Sequence, residues 1–367
     1  MKKVALYIPS MNGGGAERVM LALANGLAEK DILVDLVLNK VDGAYLKDAS
    51  AKVNIVSLDS SRALRSILPL AKYLRKEKPD AILSAMNYVN IVTVMAHLAS
   101  GSNTKVIVSE HNNLTESKKE LSFIKGRILT SLMSWAYRKA NGIVAVSNGV
   151  ADALTNELKI DRNKITTIYN PIFSEDLIKR SQELILHPWI NKTAPPLILG
   201  VGRLDPPKDF KTLIHAFKQV FEKQDCNLII LGEGELRPEL EKLIKSLNLD
   251  DNVQLPGFVD NPYAWMSHAD LFVLSSIREG FGNVIVEAMT CDTQVVSTDC
   301  PSGPSEILED GLWGELVSPS DSDLLAQAII NSLDNPVKID VRTRAEFFSV
   351  DNAVNKYLDI FSSDSIS

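Results

Sequence analysis

The sequence predicts an α/β protein that contains two doubly wound parallel sheets in series. Short apolar runs alternate with helical segments along the chain, a pattern that is typical of parallel strands covered by helices. The alternation pauses once, over residues 171–196, where proline-containing dipeptides interrupt it and no period is sustained. A chain of 367 residues is also long enough for two domains with separate cores.

The strands can be placed one by one from the apolar runs. The first half contains runs at 4–9, 32–38, 53–58, 81–85, 105–109, 142–146 and 165–169. The second half contains runs at 197–201, 227–231, 253–255, 271–275, 294–297 and 314–317. Ligands of open α/β sheets bind beyond the carboxyl ends of the strands, so we expect functional residues in the loops that follow these runs.

The pause between the two series defines the predicted domains. We assign residues 1–171 to an N-terminal domain, 172–196 to a linker and 197–346 to a C-terminal domain. The remaining segment, 347–367, contains a predicted helix at 351–361 whose apolar residues need a surface to cover. These residues are Val354, Tyr357, Leu358 and Phe361.

The composition predicts a soluble protein that stays in the cytoplasm. Lys2 and Lys3 lead directly into a strand rather than into the apolar core of a secretory signal. The three cysteines fit no metal spacing, and their odd number suits reduced thiols. The uncharged stretch 81–104 is too polar for a membrane span and indicates a strand followed by a buried helix.

Charge is distributed unevenly along the chain. Residues 1–150 contain 20 Lys/Arg and 12 Asp/Glu, a net charge of +8, whereas residues 151–367 contain 19 and 34, a net charge of −15. A basic half joined to an acidic half indicates that the first half meets an anionic partner. One group of candidate contacts is Arg62, Arg65, Lys72, Arg75, Lys76 and Lys78, and the other is Lys118, Lys119, Lys125, Arg127, Arg138 and Lys139.

The second basic group flanks apolar helical stretches at 121–124 and 128–137. Such an arrangement is expected of a helix that lies on an anionic membrane surface. The alternative is that these are solvated faces of ordinary helices, and both interpretations stay open. We expect no nucleic-acid partner.

The most informative stretch is residues 279–287, where Glu279 and Glu287 bracket a glycine-rich turn and the start of a helix. The apolar run before it predicts a buried strand, so the segment is strand, turn and helix. At such a junction the backbone N–H groups of residues 280–283 can point at an anion, helped by the helix dipole. Glu287, a little over one turn inside the helix, could accept hydrogen bonds from a ribose, with Glu279 at the other end of that ligand.

Further candidate residues follow other strands. Arg203 leaves one strand end, and Lys208 precedes a helix for which Asp209 is a plausible N-cap. Two cations at one strand end suit a pyrophosphate, because Arg chelates two oxygens and Lys adds a point charge. His111 follows the run at 105–109 and could be a sugar ligand, an acid–base group or a satisfied loop histidine.

The first strand runs into a second glycine-rich turn, at residues 11–18. Gly14 and Gly15 would allow a phosphate to approach the backbone closely. The dinucleotide-binding fingerprint GxGxxG fails here because, counted from Gly13, its third glycine position holds Arg18. A tight structural turn without a ligand is the alternative.

Three features together carry a resemblance to a known family. They are, in chain order, Gly14-Gly15, the Gly202-Arg203…Lys208 loop and Glu279-x7-Glu287. At these separations the chain resembles the retaining GT-B glycosyltransferases of family 4 (group 1) over nearly its full length. The opening Gly14-Gly-Ala-Glu-Arg18, together with Ser109-Glu-His111, resembles the subgroup that builds bacterial surface polysaccharides and lipid-linked glycans. The resemblance implies two Rossmann-like domains that face a central cleft, with the final helix crossing back to the first domain.

The resemblance also implies catalytic roles. Arg203 and Lys208 would neutralise the donor diphosphate and stabilise it as a leaving group. Glu279 would bind hydroxyl groups of the donor sugar near its reacting carbon, and His111 would contact the sugar. The spacing alone does not make Glu279 a nucleophile, and the way in which configuration is retained stays open.

Binding roles are implied in the same way. Glu287 would hold the ribose hydroxyl groups. Backbone contacts to the donor would come from Gly14, Gly15, Phe281, Gly282 and Asn283. This chemistry requires no metal, and we expect the chain to lack an Asp-x-Asp motif that would chelate a divalent cation.

The implied reaction moves an N-acetylhexosamine or hexose from a nucleotide sugar, with UDP as the favoured carrier, to a membrane-linked or polyprenyl-diphosphate-linked glycan. It would take place in the cytoplasm, at the inner membrane. Two alternatives stay open: a nucleotide-sugar epimerase of related fold, and a catalytically silent scaffold subunit at the membrane. The identity of the sugar and of the acceptor does not follow from the sequence.

Overall fold

The computed structural model describes residues 1–12, 14–61, 63–119, 121–191, 194–335 and 339–363. The chain divides into two compact units. The first contains Met1–Ile172 together with the chain from Val350 onward, and the second is Phe173–Ser349.

The first unit is built on a parallel sheet of seven strands. They are Lys3–Tyr7 (β1), Leu33–Leu38 (β2), Val53–Ser57 (β3), Ala81–Ala85 (β4), Lys105–Glu110 (β5), Gly142–Ala145 (β6) and Ile165–Thr167 (β7). Their order across the sheet is β3-β2-β1-β4-β5-β6-β7. The central strands are apolar and buried on both faces, as parallel strands between helical layers should be.

Helices connect the strands of the first unit. They are Gly15–Glu29 (α1), Ile67–Glu77 (α2), Asn87–Ser100 (α3), Leu114–Lys119 (α4), Phe123–Tyr137 (α5) and Asn148–Leu158 (α6). The uncharged stretch 81–104 forms β4 and the largely buried α3, as predicted. In the part of the chain that the structure describes, no helix combines the length and the apolar character needed to cross a bilayer.

The second unit is built on a parallel sheet of six strands. They are Leu197–Val201 (β8), Asn227–Leu231 (β9), Val253–Gly257 (β10), Leu271–Leu274 (β11), Val295–Thr298 (β12) and Glu315–Val317 (β13). Their order is β10-β9-β8-β11-β12-β13. The helices of this unit are Glu175–Ser181 (α7), Phe210–Phe221 (α8), Arg237–Ser246 (α9), Pro262–His268 (α10), Asn283–Thr290 (α11), Pro304–Leu308 (α12), Ser322–Asp334 (α13) and Val341–Ala345 (α14).

The last helix, Val350–Ser362 (α15), belongs to the first unit. Its apolar side packs against α1, where a Cβ atom on Gly26 would lie 2.7 Å from Val350 and 2.8 Å from Val354. Glycine at this position lets the two helices approach closely. Val354, Tyr357 and Phe361 are buried, so the apolar residues of this helix have the surface they need.

The fold-class prediction is confirmed, since each predicted strand overlaps a strand of the structure. The predicted linker, residues 172–196, lies almost wholly in the second unit and contains α7. Its role as a linker, and the central cleft that the resemblance implies, stay predictions.

Each sheet has a switch point, where neighbouring strands send their connections in opposite directions along the strand order. In the first sheet it lies between β1 and β4, and in the second between β8 and β11. The loop after β1 carries Gly14, the loop after β8 carries Lys208, and the loop after β11 carries Glu279. The fold thus places these three residues where ligands of open α/β sheets bind.

Candidate active site

Lys208 and Glu279 form an ion pair at the switch point of the second sheet. Lys208 ends the short 3-10 helix Pro206–Lys208, and its Nζ donates to Glu279 Oε1 at 2.5 Å. Ser276 Oγ donates to the same oxygen at 2.7 Å. The side chains of Lys208 and Glu279 are only 19% and 13% exposed. In the part of the chain that the structure describes, the other oxygen, Oε2, accepts no hydrogen bond and remains available to a ligand.

Further hydrogen bonds hold these loops to one another. Ser275 Oγ donates to the carbonyl oxygen of Lys208 at 2.8 Å, which joins the loops after β8 and β11. Thr298 Oγ1, at the end of β12, donates to the carbonyl oxygen of Ser276 at 2.5 Å. Glu279 is therefore oriented by contacts from three neighbouring strand ends.

Arg203 is placed differently from Lys208, although the sequence predicts one role for both. Its side chain is 81% exposed and pairs with Asp205 Oδ2 at 2.8 Å. Such an exposed pair contributes little to stability and is easily exchanged for another partner. Both residues predicted to bind the diphosphate are thus paired with a carboxylate in this structure. The pair of Arg203 is exposed, and that of Lys208 is nearly buried.

The glycine-rich turn before α11 has the predicted form. Gly282 caps the helix with φ of 96°, a left-handed conformation that favours glycine, and Asn283 is the first helical residue. A Cβ atom on Gly303 would lie 1.7 Å from the carbonyl oxygen of Phe281. The loop after β12, which contains Gly303, is therefore in close contact with this turn. Glu287, the fifth of the eight residues of α11, is only 2% exposed.

The other predicted glycine turn lies in the first unit. Gly14 has an extended backbone and precedes α1, which begins at Gly15. A Cβ atom on Gly14 would lie 2.0 Å from a carboxylate oxygen of Glu17. A carboxylate in the first turn suits the helix dipole, and it occupies a position that a phosphate would also favour.

His111 follows β5, two strands from β1 in the same sheet. Its Nε2 lies 3.1 Å from Ser109 Oγ, and that hydroxyl lies 3.4 Å from the hydroxyl of Tyr357 on α15. Burial lowers the pKa of His111 to about 4. The imidazole is therefore neutral near pH 7 and suits a hydrogen-bonding role toward a sugar hydroxyl.

A buried polar network next to His111 was not predicted. Glu110 accepts hydrogen bonds from Tyr137 and from two backbone N–H groups, and Tyr137 in turn accepts one from Asn90. The one sequence signal was the presence of polar residues such as Asn90 in an otherwise apolar stretch, where each needs a partner.

The expectation that the chain lacks an Asp-x-Asp motif needs a correction, because the spacing is present at Asp321 and Asp323. In the structure Asp321 caps α13 by accepting from the N–H groups of Asp323 and Leu324. Asp323 Oδ1 accepts from Gln219 at 2.7 Å. Among the described residues, no three His, Cys, Asp or Glu side chains form a group that could hold a metal ion. Metal independence of the reaction stays a prediction.

Two residues that belong to predicted features lie outside the described residues. They are Gly13, from which the dinucleotide fingerprint was counted, and Arg62, from the first basic group.

Comparison with known proteins identifies the family. Residues 13–175 match the model of Glycosyltransferase Family 4, and residues 182–347 match that of Glycosyl transferases group 1. The chain is also 30% identical over 362 residues to the N-acetylgalactosamine-N,N'-diacetylbacillosaminyl-diphospho-undecaprenol 4-alpha-N-acetylgalactosaminyltransferase of Campylobacter jejuni, covering 95% of this chain and 96% of that protein. This chain belongs to glycosyltransferase family 4 (group 1).

A further relative and two solved structures are also similar to this chain. A second C. jejuni enzyme, a GalNAc-alpha-(1->4)-GalNAc-alpha-(1->3)-diNAcBac-PP-undecaprenol alpha-1,4-N-acetyl-D-galactosaminyltransferase, is 26% identical and covers 90% of this chain and 88% of its own length. Anabaena HepE in complex with UDP-glucose superposes with a TM-score of 0.82 at 22% identity, covering 99% of this chain and 100% of that one. Sucrose-phosphate synthase of Thermosynechococcus elongatus gives a TM-score of 0.83 at 20% identity, covering 98% of each chain. The predicted GT-B fold is confirmed, whereas the residue roles and the retaining mechanism stay predictions.

Proposed function

We propose that this family 4 glycosyltransferase moves an N-acetylhexosamine or hexose from a UDP-sugar to a polyprenyl-diphosphate-linked glycan, with retention of configuration. The observation that carries the proposal is the orientation of Glu279, whose Oε1 is held by Lys208 and Ser276 while Oε2 is left for a ligand. The two C. jejuni relatives, named for undecaprenol-linked substrates, support the class of acceptor. The UDP-glucose complex of HepE supports the carrier.

Lys208 and Arg203 would stabilise the leaving diphosphate. Breaking the bond between the sugar and the diphosphate concentrates negative charge on the leaving oxygen, and cations fixed beforehand stabilise that charge. Arg203 is exposed enough to leave Asp205 for the diphosphate. Lys208 would keep Glu279 in place while its remaining N–H groups reach the phosphate oxygens, since an ammonium group has three donors.

The remaining contacts would orient the donor. Glu279 Oε2 would accept a hydrogen bond from a sugar hydroxyl, and neutral His111 would contact another. Glu287 would accept hydrogen bonds from the ribose. The backbone of Phe281, Gly282 and Asn283 would contact the donor from the second unit, and that of Gly14 and Gly15 from the first.

The test is a transfer assay with a panel of UDP-, GDP- and ADP-sugars and a synthetic undecaprenyl-diphosphate-linked acceptor. We expect acceptor-dependent release of UDP, a product with one added sugar, and an axial anomeric linkage by NMR if configuration is retained. Activity should persist in EDTA if no metal takes part. A new nucleotide sugar formed without acceptor would instead identify an epimerase. If calorimetry detects no binding of any nucleotide sugar, the result would favour a catalytically silent scaffold subunit.

We also propose that α5 lies on an anionic membrane surface, at the cytoplasmic face of the inner membrane. Large apolar side chains in and next to this helix face solvent, which is unusual for a patch of this size. They are Leu121, Phe123, Ile124, Ile128, Leu132 and Trp135. An interfacial helix with basic neighbours would bury this face among anionic head groups.

The basic residues around α5 differ in their availability. Lys118 pairs with Glu157, Lys119 pairs with Glu116, and Arg138 binds backbone carbonyl groups at the end of α6. The exposed charges that complement the apolar face are those of Lys125, Arg127 and Lys139.

Vesicle flotation tests this attachment. We expect binding to vesicles that contain anionic lipid at low salt and release at high salt, because surface charges are screened. Replacing Phe123 and Ile124 with serine should abolish binding. Replacing the exposed Leu312 and Phe347 of the second unit in the same way should leave it unchanged. Indifference to both lipid charge and salt would reject an electrostatic attachment.

A further inference from the structure

Glu110 is a buried carboxyl group to which the proposed function assigns no role. It is the last residue of β5 and is 1% exposed. One oxygen, Oε1, accepts the backbone N–H groups of His111 at 3.1 Å and Asn112 at 3.3 Å. The other, Oε2, accepts the hydroxyl of Tyr137 at 2.8 Å. The carboxylate therefore closes the turn that contains His111 and ties it to the last residue of α5.

The tyrosine is itself held in place. Asn90 Nδ2 donates to the hydroxyl of Tyr137 at 2.8 Å and to the carbonyl oxygen of Ser109 at 2.9 Å. Asn90 Oδ1 accepts from Ser84 Oγ at 2.8 Å. Because the Tyr137 hydroxyl already accepts from Asn90, its own proton is directed at Glu110. The network joins β4, α3, β5 and α5, and all its side chains are buried.

A carboxylate at this position costs free energy of folding. Its hydrogen-bond partners in the described ranges are all uncharged, and burying a carboxylate without a cation disfavours the charged form. Burial accordingly raises the pKa of Glu110 to about 7. A glutamine would avoid this cost, but only one of its side-chain atoms accepts hydrogen bonds, whereas donors face both oxygens here.

We propose that Glu110 is a positioning residue for sugar transfer, which in its carboxylate form holds the turn of His111 and Asn112 in the geometry that the donor sugar requires. The inference rests on the proposed function, in which His111 contacts the sugar. Protonation would place a hydrogen on one oxygen, opposite an N–H or O–H group that already donates there. The turn would then lose a hydrogen bond and its fixed position.

The other titratable groups around Glu110 do not change charge near pH 7. Burial lowers the pKa of His111 to about 4 and raises the pKa of Tyr137, on α5, well above its usual value. Burial also raises the pKa of Tyr357, on α15, to about 12. The neighbour on α3 is Asn90, which carries no charge. A change in activity near pH 7 that is absent in Glu110→Gln would therefore report on Glu110.

The principal experiment measures kcat, KM for the donor, and urea unfolding for the wild type and Glu110→Gln between about pH 5.5 and 9. We expect kcat of the variant to fall about tenfold or more above pH 7.5, because a displaced contact to a reacting sugar is costly. The wild-type kcat should decline below pH 7, and this decline should be absent in the variant. Since the folded state favours protonated Glu110, the wild type should lose stability relative to the variant as pH rises from about 5 to 8.

Tyr137→Phe provides a second test. The hydroxyl of Tyr137 lowers the pKa of Glu110 by donating to it, so its removal should move the acidic decline in kcat to higher pH. Tyr73→Phe is the matched control, because Tyr73 also donates to a buried carboxylate, Asp35, at 2.5 Å. It removes a similar hydrogen bond from the same sheet and should leave the pH profile unchanged.

The outcomes separate the two proposals. If the wild type transfers no sugar, the proposed function is refuted, and this inference is refuted with it. An active wild type whose kcat and pH profile are shared by Glu110→Gln would overturn the inference alone. Loss of stability at pH 8 that parallels the loss of kcat would also overturn it, because Glu110 would then be a structural residue.

Discussion

The two units hold their candidate carboxylates in opposite ways. In the second unit, Glu279 is paired with a cation, Lys208. The two residues lie in the loops after β11 and β8, the neighbouring strands at the switch point. In the first unit, Glu110 is fully buried and is held by a tyrosine and two backbone N–H groups. A carboxylate whose charge is neutralised by a cation can use its second oxygen to bind a ligand. A buried carboxylate without a cation can instead fix the backbone of the adjacent turn through hydrogen bonds.

The difference has an energetic consequence. Removing the cation from Glu279 would leave a nearly buried carboxylate uncompensated, which costs several kcal/mol. Neutralising Glu110 would instead remove a penalty, because burial already disfavours its charged form. The second unit should therefore lose activity and stability together when its pair is broken, whereas the first should lose activity alone.

The largest effect is expected for Lys208→Ala. It removes both a cation for the diphosphate and the partner of Glu279, so kcat/KM should fall by about 10²–10³-fold. Stability should fall by about 3 kcal/mol in urea unfolding, because the nearly buried carboxylate of Glu279 is left without its cation. Arg203→Ala and Glu287→Ala should also reduce transfer by orders of magnitude, but Arg203→Ala should leave stability nearly unchanged, since Arg203 is exposed.

Lys211→Ala is the control for this prediction. Lys211 pairs with Glu239 at 2.8 Å on an exposed surface of the same unit, so its removal should change stability by less than about 1 kcal/mol and leave transfer intact. Wild-type activity in Lys208→Ala would refute the role of Lys208 at the diphosphate. An unchanged stability would show that Glu279, like a neutralised Glu110, does not need a cation for the fold to be stable.

Local sequence patterns predicted the second unit well. The residues from Glu279 to Glu287 lie on one strand-turn-helix junction, and Asp209 caps α8 as expected. The first unit shows what such patterns miss. Glu110 and Tyr137 are 27 positions apart, and Asn90 and Tyr137 are 47 apart, so these hydrogen bonds depend on how α3 and α5 dock on the sheet. The sequence also could not distinguish Arg203 from Lys208, because exposure depends on the path of the loop after β8.

A smaller effect on transfer is expected for Gly303→Ala, which tests whether the contact of Gly303 with Phe281 holds the turn before α11 in place. Gly303 has φ of 103°, and its added Cβ would lie 1.7 Å from the carbonyl oxygen of Phe281, so the loop would have to move. Stability should fall by about 3 kcal/mol, and KM for the donor should rise. Gly101→Ala is the control: φ is 62° there but nothing lies within 4 Å, so only about 1 kcal/mol of strain is expected. Equal costs for the two variants in urea unfolding would show that the turn is not supported by this contact.

The smallest effect is expected for Ser276→Ala, after which Lys208 is the one side chain among the described residues that still holds Glu279. The lost hydrogen bond joins a hydroxyl to a carboxylate over 2.7 Å, and such bonds are worth about 1.5–3 kcal/mol, so kcat/KM should fall about tenfold. Ser297→Ala is the matched control, because Ser297 is also buried but donates to the backbone carbonyl of Thr298 and not to a carboxylate. If the two serine variants have equal kcat/KM, Lys208 alone orients Glu279. In that case the second unit relies on one ion pair, and the first unit on a shared hydrogen-bond network.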